Sequence, residues 1–353
     1  MKVRNIHFFA GIGMCAALFI ALQGCGGSDK SEETTTPKKS SSSITVYTSV
    51  DRDYAEPIIE GFKQVHPEIT VNAKYDAELT KTTGLYTLIL NEKSNPQADV
   101  FWNSEIVRTI QLKQQGVLQP YQSPSAQEIP DRFKDKEGYW TGFSARARVM
   151  IINNNLVPET ETPSAVPSLI DAKYIGKTAM AIPMFGTTCD HMAALYTIMG
   201  EGRFGVLMMK MKGNQVKLLQ GNAMVRDEAA AGTIAYGLTD TDDVIPLLEQ
   251  SQPVRMAFLD QDGAGTLLIP NTVSLIKDAP NTEGGKIFID YLLSPEVEAR
   301  LAESRARQIP LRASVPRQPV VPDLAKIKVM DVDYEVLAKN VEPCLEFLRK
   351  VFN

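Results

Sequence analysis

Two hydrophobic periods take turns along the chain. Residues 44–49 (ITVYTS) alternate apolar and polar positions, the period of a half-buried strand. Ile58, Ile59, Phe62 and Val65 then recur at helical spacing until His66-Pro67 stops them, and Asp53 with Glu56 three residues on predicts the cap of that helix. A strand at 69–75, a helix at 79–90, a short buried strand at 98–102 and a helix at 106–115 ended by Gly116 follow the same rhythm. Strands that alternate with helices in this way predict an α/β lobe with parallel strands.

A longer strand at 143–152 opens a second set of the same kind. It holds a strand at 179–182, helices to Gly200 and at 204–211, a strand at 215–218, a helix at 222–230, a strand at 233–238, a helix to Glu249 and a strand at 254–258. A loop (DQDGAG, 260–265), a strand at 271–276, helices at 282–293 and 295–302, a proline-rich connection and a closing helix at 334–351 complete the chain. The second set is entered and left by single strands, which is how a two-lobed, hinged protein is threaded.

Four places in the second set carry candidate chemistry. In 178–200 (TAMAIPMFGTTCDHMAALYTIMG) the pattern is strand, turn, helix. It sets the backbone N–H groups of Gly186, Thr187 and Thr188 at a helix N-terminus, where they can hold an anion. Thr187 with Asp190 also fits a capping box that would satisfy the same groups internally. Arg146 and Arg148 share one face of their strand and need water or an anion beside them. In 239–243 (TDTDD) the three carboxylates of Asp240, Asp242 and Asp243 crowd one turn with Thr241, either as N-capping chemistry or with one or two of them as a wall for a metal ion, an ammonium or a hydroxyl. Asn222 is either an anion donor or an ordinary N-cap. In the first set, Ser49 and Asp51 follow the first strand, and Trp102, Asn103 and Ser104 end the third, at the carboxyl edge where open α/β sheets place ligands. Trp102 either stacks on a ligand or packs in the core.

The start of the chain changes the setting. Lys2 and Arg4 precede an apolar run at 6–22, a secretory signal too short to span a membrane. It ends Leu22-Gln23-Gly24-Cys25, which resembles a bacterial lipobox and implies lipidation of Cys25, with residues 1–24 removed. Residues 25–43 are a polar tether. The formal charge of −5 becomes −7 once Lys2 and Arg4 leave, and an acidic chain without a basic stripe argues against nucleic acid. Cys189 and Cys344 remain in an oxidising compartment, as a disulfide or as two buried thiols. No GxSxG elbow or HExxH motif is present, so no hydrolase is expected.

The stretches VYTSVDRDYAEPIIEGFKQVHP, ADVFWNSEIVRTIQLKQQGVLQPY, GFSARARVMIINNN, MAIPMFGTT, GLTDTDD and IPNTVSLIKDAPNTEGGKIFIDYLLSPEVEARLA cover most of the mature chain. Together they resemble the periplasmic solute-binding proteins of ABC importers, in the branch that holds ferric-ion-binding and organophosphate-binding members. The resemblance implies a type II two-lobed α/β fold, with lobe 1 at 44–144 and 260–293, lobe 2 at 145–259, a hinge of two crossing strands and a helical region at 294–353. It implies ligand capture between the lobes, no catalysis, no resident cofactor, a permease and ATPase as partners, a monomer, and a periplasmic or cell-surface site anchored by lipid. In ferric-binding members a tyrosine pair grips the iron at the place of Asp240-Thr241-Asp242, and this chain has no such pair. The expected ligand is therefore a phosphonate or organophosphate, its anion on Gly186, Thr187 and Thr188 with help from Arg146 or Arg148, and its hydroxyls or amine on Asp240 and Asp242. Ferric iron as cargo, held through Asp240, Asp242 and a bound anion, is the alternative. Ligand presentation to a sensor is a further one.

Overall fold

The computed structural model describes residues 42–76 and 83–352, so the signal, Cys25, the tether up to residue 41 and the start of the helix expected at 79–90 lie outside the described residues, while Ser42 and Ser43, expected as tether, open the first strand. The first lobe begins with β1 (Ser42–Thr48), α1 (Arg52–Val65), β2 (Ile69–Tyr75), α2 (Thr83–Asn91), β3 (Val100–Asn103), α3 (Val107–Gln114) and β4 (Leu118–Gln119). The chain then runs into β5 (Thr141–Asn153). It continues through β6 (Thr178–Ala181), α4 (Gly186–Gly213), β7 (Lys217–Leu219), α5 (Asn222–Ala230), β8 (Tyr236–Asp240), α6 (Thr241–Glu249) and β9 (Val254–Phe258). β10 (Leu268–Ile276), α7 (Thr282–Leu292), α8 (Pro295–Glu303) and α9 (Tyr334–Phe352) close it.

Strand order is β2-β1-β3-β10-β5-β8-β6-β7, with β4 on β10 and β9 on β5. β1 lies parallel to β2 and β3, and β6 parallel to β7 and β8. The join is β5. Its residues 141–147 pair antiparallel with β10 of the first sheet, and its residues 148–153 pair with β8 and β9 of the second. The change of partner falls between Ala147 and Arg148, and the chain returns from β9 to β10 beside it, where the Arg148 N–H donates to the Leu267 carbonyl (3.0 Å). These are the two crossing strands of the hinge. β5 is buried along almost its whole length because it is interior to both sheets, which explains its run of apolar residues.

Local sequence accounts for most boundaries. α1 buries Ala55, Ile58, Ile59 and Phe62 on one face and ends at His66. The expected Asp53 cap is not formed: the helix starts two residues earlier, with Asp51 as its N-cap residue, and Asp53 sits inside the first turn. α7 and α8 are capped by the side chains of Asn281 and Ser294, with Pro295 preset for the first helical turn. The two helices read in 178–211 form one element broken at Gly200, whose φ of 74° only glycine adopts without strain. α9 packs against both α3 and α4. Cys189 and Cys344 are both buried free thiols, so no disulfide joins them. The core includes Phe62, Phe101, Trp102, Phe143, Phe204 and Phe288, each contributing about 1.5–3 kcal/mol by burial.

Candidate functional site

A cleft of about 310 Å³ lies between residues of the first lobe (Val50, Asp51, Tyr54, Ser104, Glu105) and residues of the hinge and second lobe. The latter include Arg146, Phe185, Gly186, Thr187, Thr188, Gly221, Asn222, Asp240, Asp242 and Asp243. The N-terminal ends of α1, α4, α5 and α6 all open on it. Their N-cap residues, Asp51, Phe185, Gly221 and Asp240, line the cleft, and none caps its helix with a side chain. Away from the cleft, α7 and α8 carry side-chain caps. The capping box expected between Thr187 and Asp190 does not form, because Thr187 Oγ1 donates to Asp240 (2.6 Å) and Asp190 is buried beside Glu105. Each uncapped end brings roughly half a positive charge.

Behind the wall stands a buried polar cluster. The Arg148 side chain is 0% exposed; its Nη1 donates to Asp240 Oδ1 (2.6 Å), Thr187 Oγ1 (3.0 Å) and Asn222 Oδ1 (3.4 Å), and its Nη2 to Thr188 Oγ1 (3.0 Å). Asn222 Nδ2 donates to Asp240 Oδ2 (2.9 Å). Arg146, at the hinge, pairs with Asp242 (3.2 Å) and donates to the Ser104 carbonyl (2.9 Å), so it ties the lobes together. The two guanidiniums share a face as expected, but what faces them is a pair of aspartates. Burial would lower the Arg146 pKa; Asp242, Asp240, Asp51 and Asp243 outweigh it and hold the pKa above its usual value. Burial, with the charges of Asp242 and Asp240, raises Asp243 to about 7.

The expected site residues divide into two groups. Gly186, Thr187, Thr188, Arg146, Asn222, Asp240, Asp242, Asp51 and Ser104 line the cleft. Arg148, Thr241, Ser49, Trp102 and Asn103 lie behind it. Thr241 Oγ1 accepts from the Ala147 N–H (3.1 Å) and pins α6 to the hinge. Ser49 donates to Asn103 (2.6 Å) and accepts from the Ser104 N–H (2.8 Å), and Asn103 Nδ2 donates to Glu105 (2.7 Å). Trp102 is fully buried against Phe143, so packing claims it and no ligand stacks on it. Sequence reading missed Tyr54 and Glu105. It counted Asp243 among the three carboxylates of the acidic turn without assigning it to the site.

A model of the bacterial extracellular solute-binding protein family matches residues 96–336. The chain belongs to that family. It is similar to iron uptake protein A1 of Synechocystis, 27% identical over 280 residues, 76% of this chain and 77% of the relative. The solved structure of a Trichodesmium protein in complex with iron and citrate aligns with a TM-score of 0.75 at 26% identity, covering 88% of this chain and 99% of that one. AfuA of Actinobacillus pleuropneumoniae, with fructose-6-phosphate bound, aligns with a TM-score of 0.75 at 22% identity over 86% and 97% of the two chains. This family member is a periplasmic binding protein of an ABC importer, with the type II fold. It works with a permease and an ATPase, and it is a binder of small solutes and not an enzyme.

Proposed function

We propose that the cleft captures a small phosphonate or phosphate ester bearing an amine or hydroxyl. Its anion rests on the N–H groups of Gly186, Thr187 and Thr188, with Asn222 and Arg146 beside it. Its polar or cationic end meets Asp51 and Asp242. The observation that carries this reading is the convergence of four helix N-termini on one cleft, none capped by a side chain. Arg148 then serves as the buried brace of the anion turn, and Asp240 as its counter-charge.

Ferric iron is the second reading. The iron-uptake relative favours it, and so do the carboxylate oxygens of Asp240, Asp242 and Asp243, which come within 4.8 Å of one another. Against it, Asp240 is held by the fully buried guanidinium of Arg148, which already balances its charge. Tyr47 donates to Glu92 and Tyr236 to the Ser168 carbonyl, both away from the cleft, which leaves Tyr54 as the tyrosine lining it among the described residues.

A thermal-shift panel tests the choice. A ligand at a hundredfold over its Kd adds roughly 2.7 kcal/mol. The panel holds inorganic phosphate, 2-aminoethylphosphonate, fructose-6-phosphate and ferric citrate. A shift with a phosphonate or phosphate ester that Asp242→Ala weakens supports the proposal, and a shift with ferric citrate alone overturns it. We further propose that Cys25 is lipidated. Cys25→Ser then moves the protein from the membrane to the soluble fraction, and unchanged membrane retention refutes the anchor.

A further inference from the structure

Glu105 follows β3 of the first sheet, and Asp190 lies in the first turns of α4, which leaves the second sheet. They meet: both side chains are buried, and their carboxyls face each other at hydrogen-bonding reach. Two carboxylates cannot hydrogen-bond to each other without a proton between them. The surroundings say which residue carries it. Glu105 is already supplied with donors: the Val107 N–H, the Arg108 N–H (3.1 Å) and Asn103 Nδ2 (2.7 Å). Asp190 is not: its Oδ2 is buried, and among the described residues no N–H or O–H donor reaches it. An ionised Asp190 would leave a bare buried oxygen, so Asp190 is the proton donor and Glu105 the acceptor.

The charges around the pair do not replace that proton. Arg108 of α3 faces both carboxyls but is shared with Glu342 of α9 (3.0 Å). Arg148 of β5 faces Asp190 but is paired with Asp240. Tyr334 of α9 and the buried Cys189 and His191 on α4 complete the surroundings. Burial, followed by the charge and hydrogen bond of Glu105, pushes Asp190 well above the usual carboxyl range. Burial also raises Glu105, against the pull of Asn103 and Arg108.

We propose that Glu105 and Asp190 form a proton-sharing carboxyl pair joining the two lobes behind the cleft wall, so that the protein holds one proton while the lobes are together and captures an anion less well as pH rises. Glu105 lines the cleft, so loss of that proton adds a negative charge next to the ligand. Only the affinity half of the proposal rests on the anionic reading of the ligand. The proton itself is tested without ligand.

The test compares urea unfolding of wild type, Asp190→Asn and Glu105→Gln between pH 5 and 9. Either amide completes the hydrogen bond with no titrating proton. Wild type should lose stability relative to both variants as pH rises, by about tenfold in the unfolding constant per pH unit for as long as the pair keeps its proton. Infrared spectroscopy at pH 7 should show more buried protonated-carboxyl absorption in wild type than in Asp190→Asn, the Asp243 carboxyl contributing equally to both. Parallel pH profiles for wild type and a folded variant, or no such difference between the two spectra, overturn the proposal. In the ligand arm, wild-type affinity for 2-aminoethylphosphonate should fall from pH 6 to 8.5 more steeply than that of Asp190→Asn, and equal slopes overturn the link to capture. Absence of any binding refutes the anionic reading instead, and the unfolding profiles still decide whether the pair holds a proton.

Discussion

Replacing Arg148 by methionine probes the centre of the site. The substitution keeps an unbranched chain in a fully buried place and removes the guanidinium that meets Asp240, Thr187, Thr188 and Asn222. The Asp240 side chain is only 4% exposed, so its carboxylate stays in the interior with hydroxyl and amide donors but no countercharge. At an effective dielectric of 20, opposite unit charges about 4 Å apart attract by about 4 kcal/mol. Breaking one side of a buried pair costs about 3–5 kcal/mol, a large part of the roughly 5–15 kcal/mol that holds a domain folded. Urea unfolding followed by circular dichroism and tryptophan fluorescence should show a loss of that size. The double variant Arg148→Met/Asp240→Asn should recover at least half of it, since neither charge then remains. A single variant that loses less than about 1 kcal/mol, or a double variant no better than the single, would refute the view that charge pairing braces this wall.

Two further outcomes follow from the same cleft and its neighbours. Asp243 holds its proton up to about pH 7 in the folded protein, against a usual carboxyl value of 3.8 when unfolded. The folded state therefore binds more protons, and this residue makes stability fall as pH rises from about 4 to about 7; Asp243→Asn should flatten that window in a melting series, and an unchanged profile would count against it. At Gly237, where α5 lies on β8, an added Cβ would stand 2.4 Å from Val225 Cγ1 and 3.0 Å from the Ala179 carbonyl. Gly237→Ala should cost about 1–3 kcal/mol by overpacking, read from the urea midpoint, and a neutral result would show that α5 can shift.

The alternation of strand and helix periods was enough to place α5, β9 and the start of α7 at their observed residues, because their apolar stripes and turn residues are local. It was enough, too, for the hinge, since β5 and the return through β10 are the single crossings between two α/β sets. Hydrophobic period is written residue by residue, and each of these elements buries a face that its own sequence defines.

Partnership is not local. Arg146 and Arg148 read alike as two cations on one strand face, yet one lines the cleft against Asp242 and the other is sealed behind it by Asp240. Trp102 read as a ligand platform or as core, and the packing of Phe143 decided for core. Thr187 and Asp190 had the spacing of a capping box, but Asp240, 53 residues beyond Thr187, took the threonine, and Glu105, 85 residues before Asp190, took the aspartate. Sequence alone determined which residue types stood at the carboxyl edges of two sheets. Folding those edges together decided which charge met which, because the free energy of a buried polar group is set by the partner that reaches it, and that partner comes from a distant part of the chain.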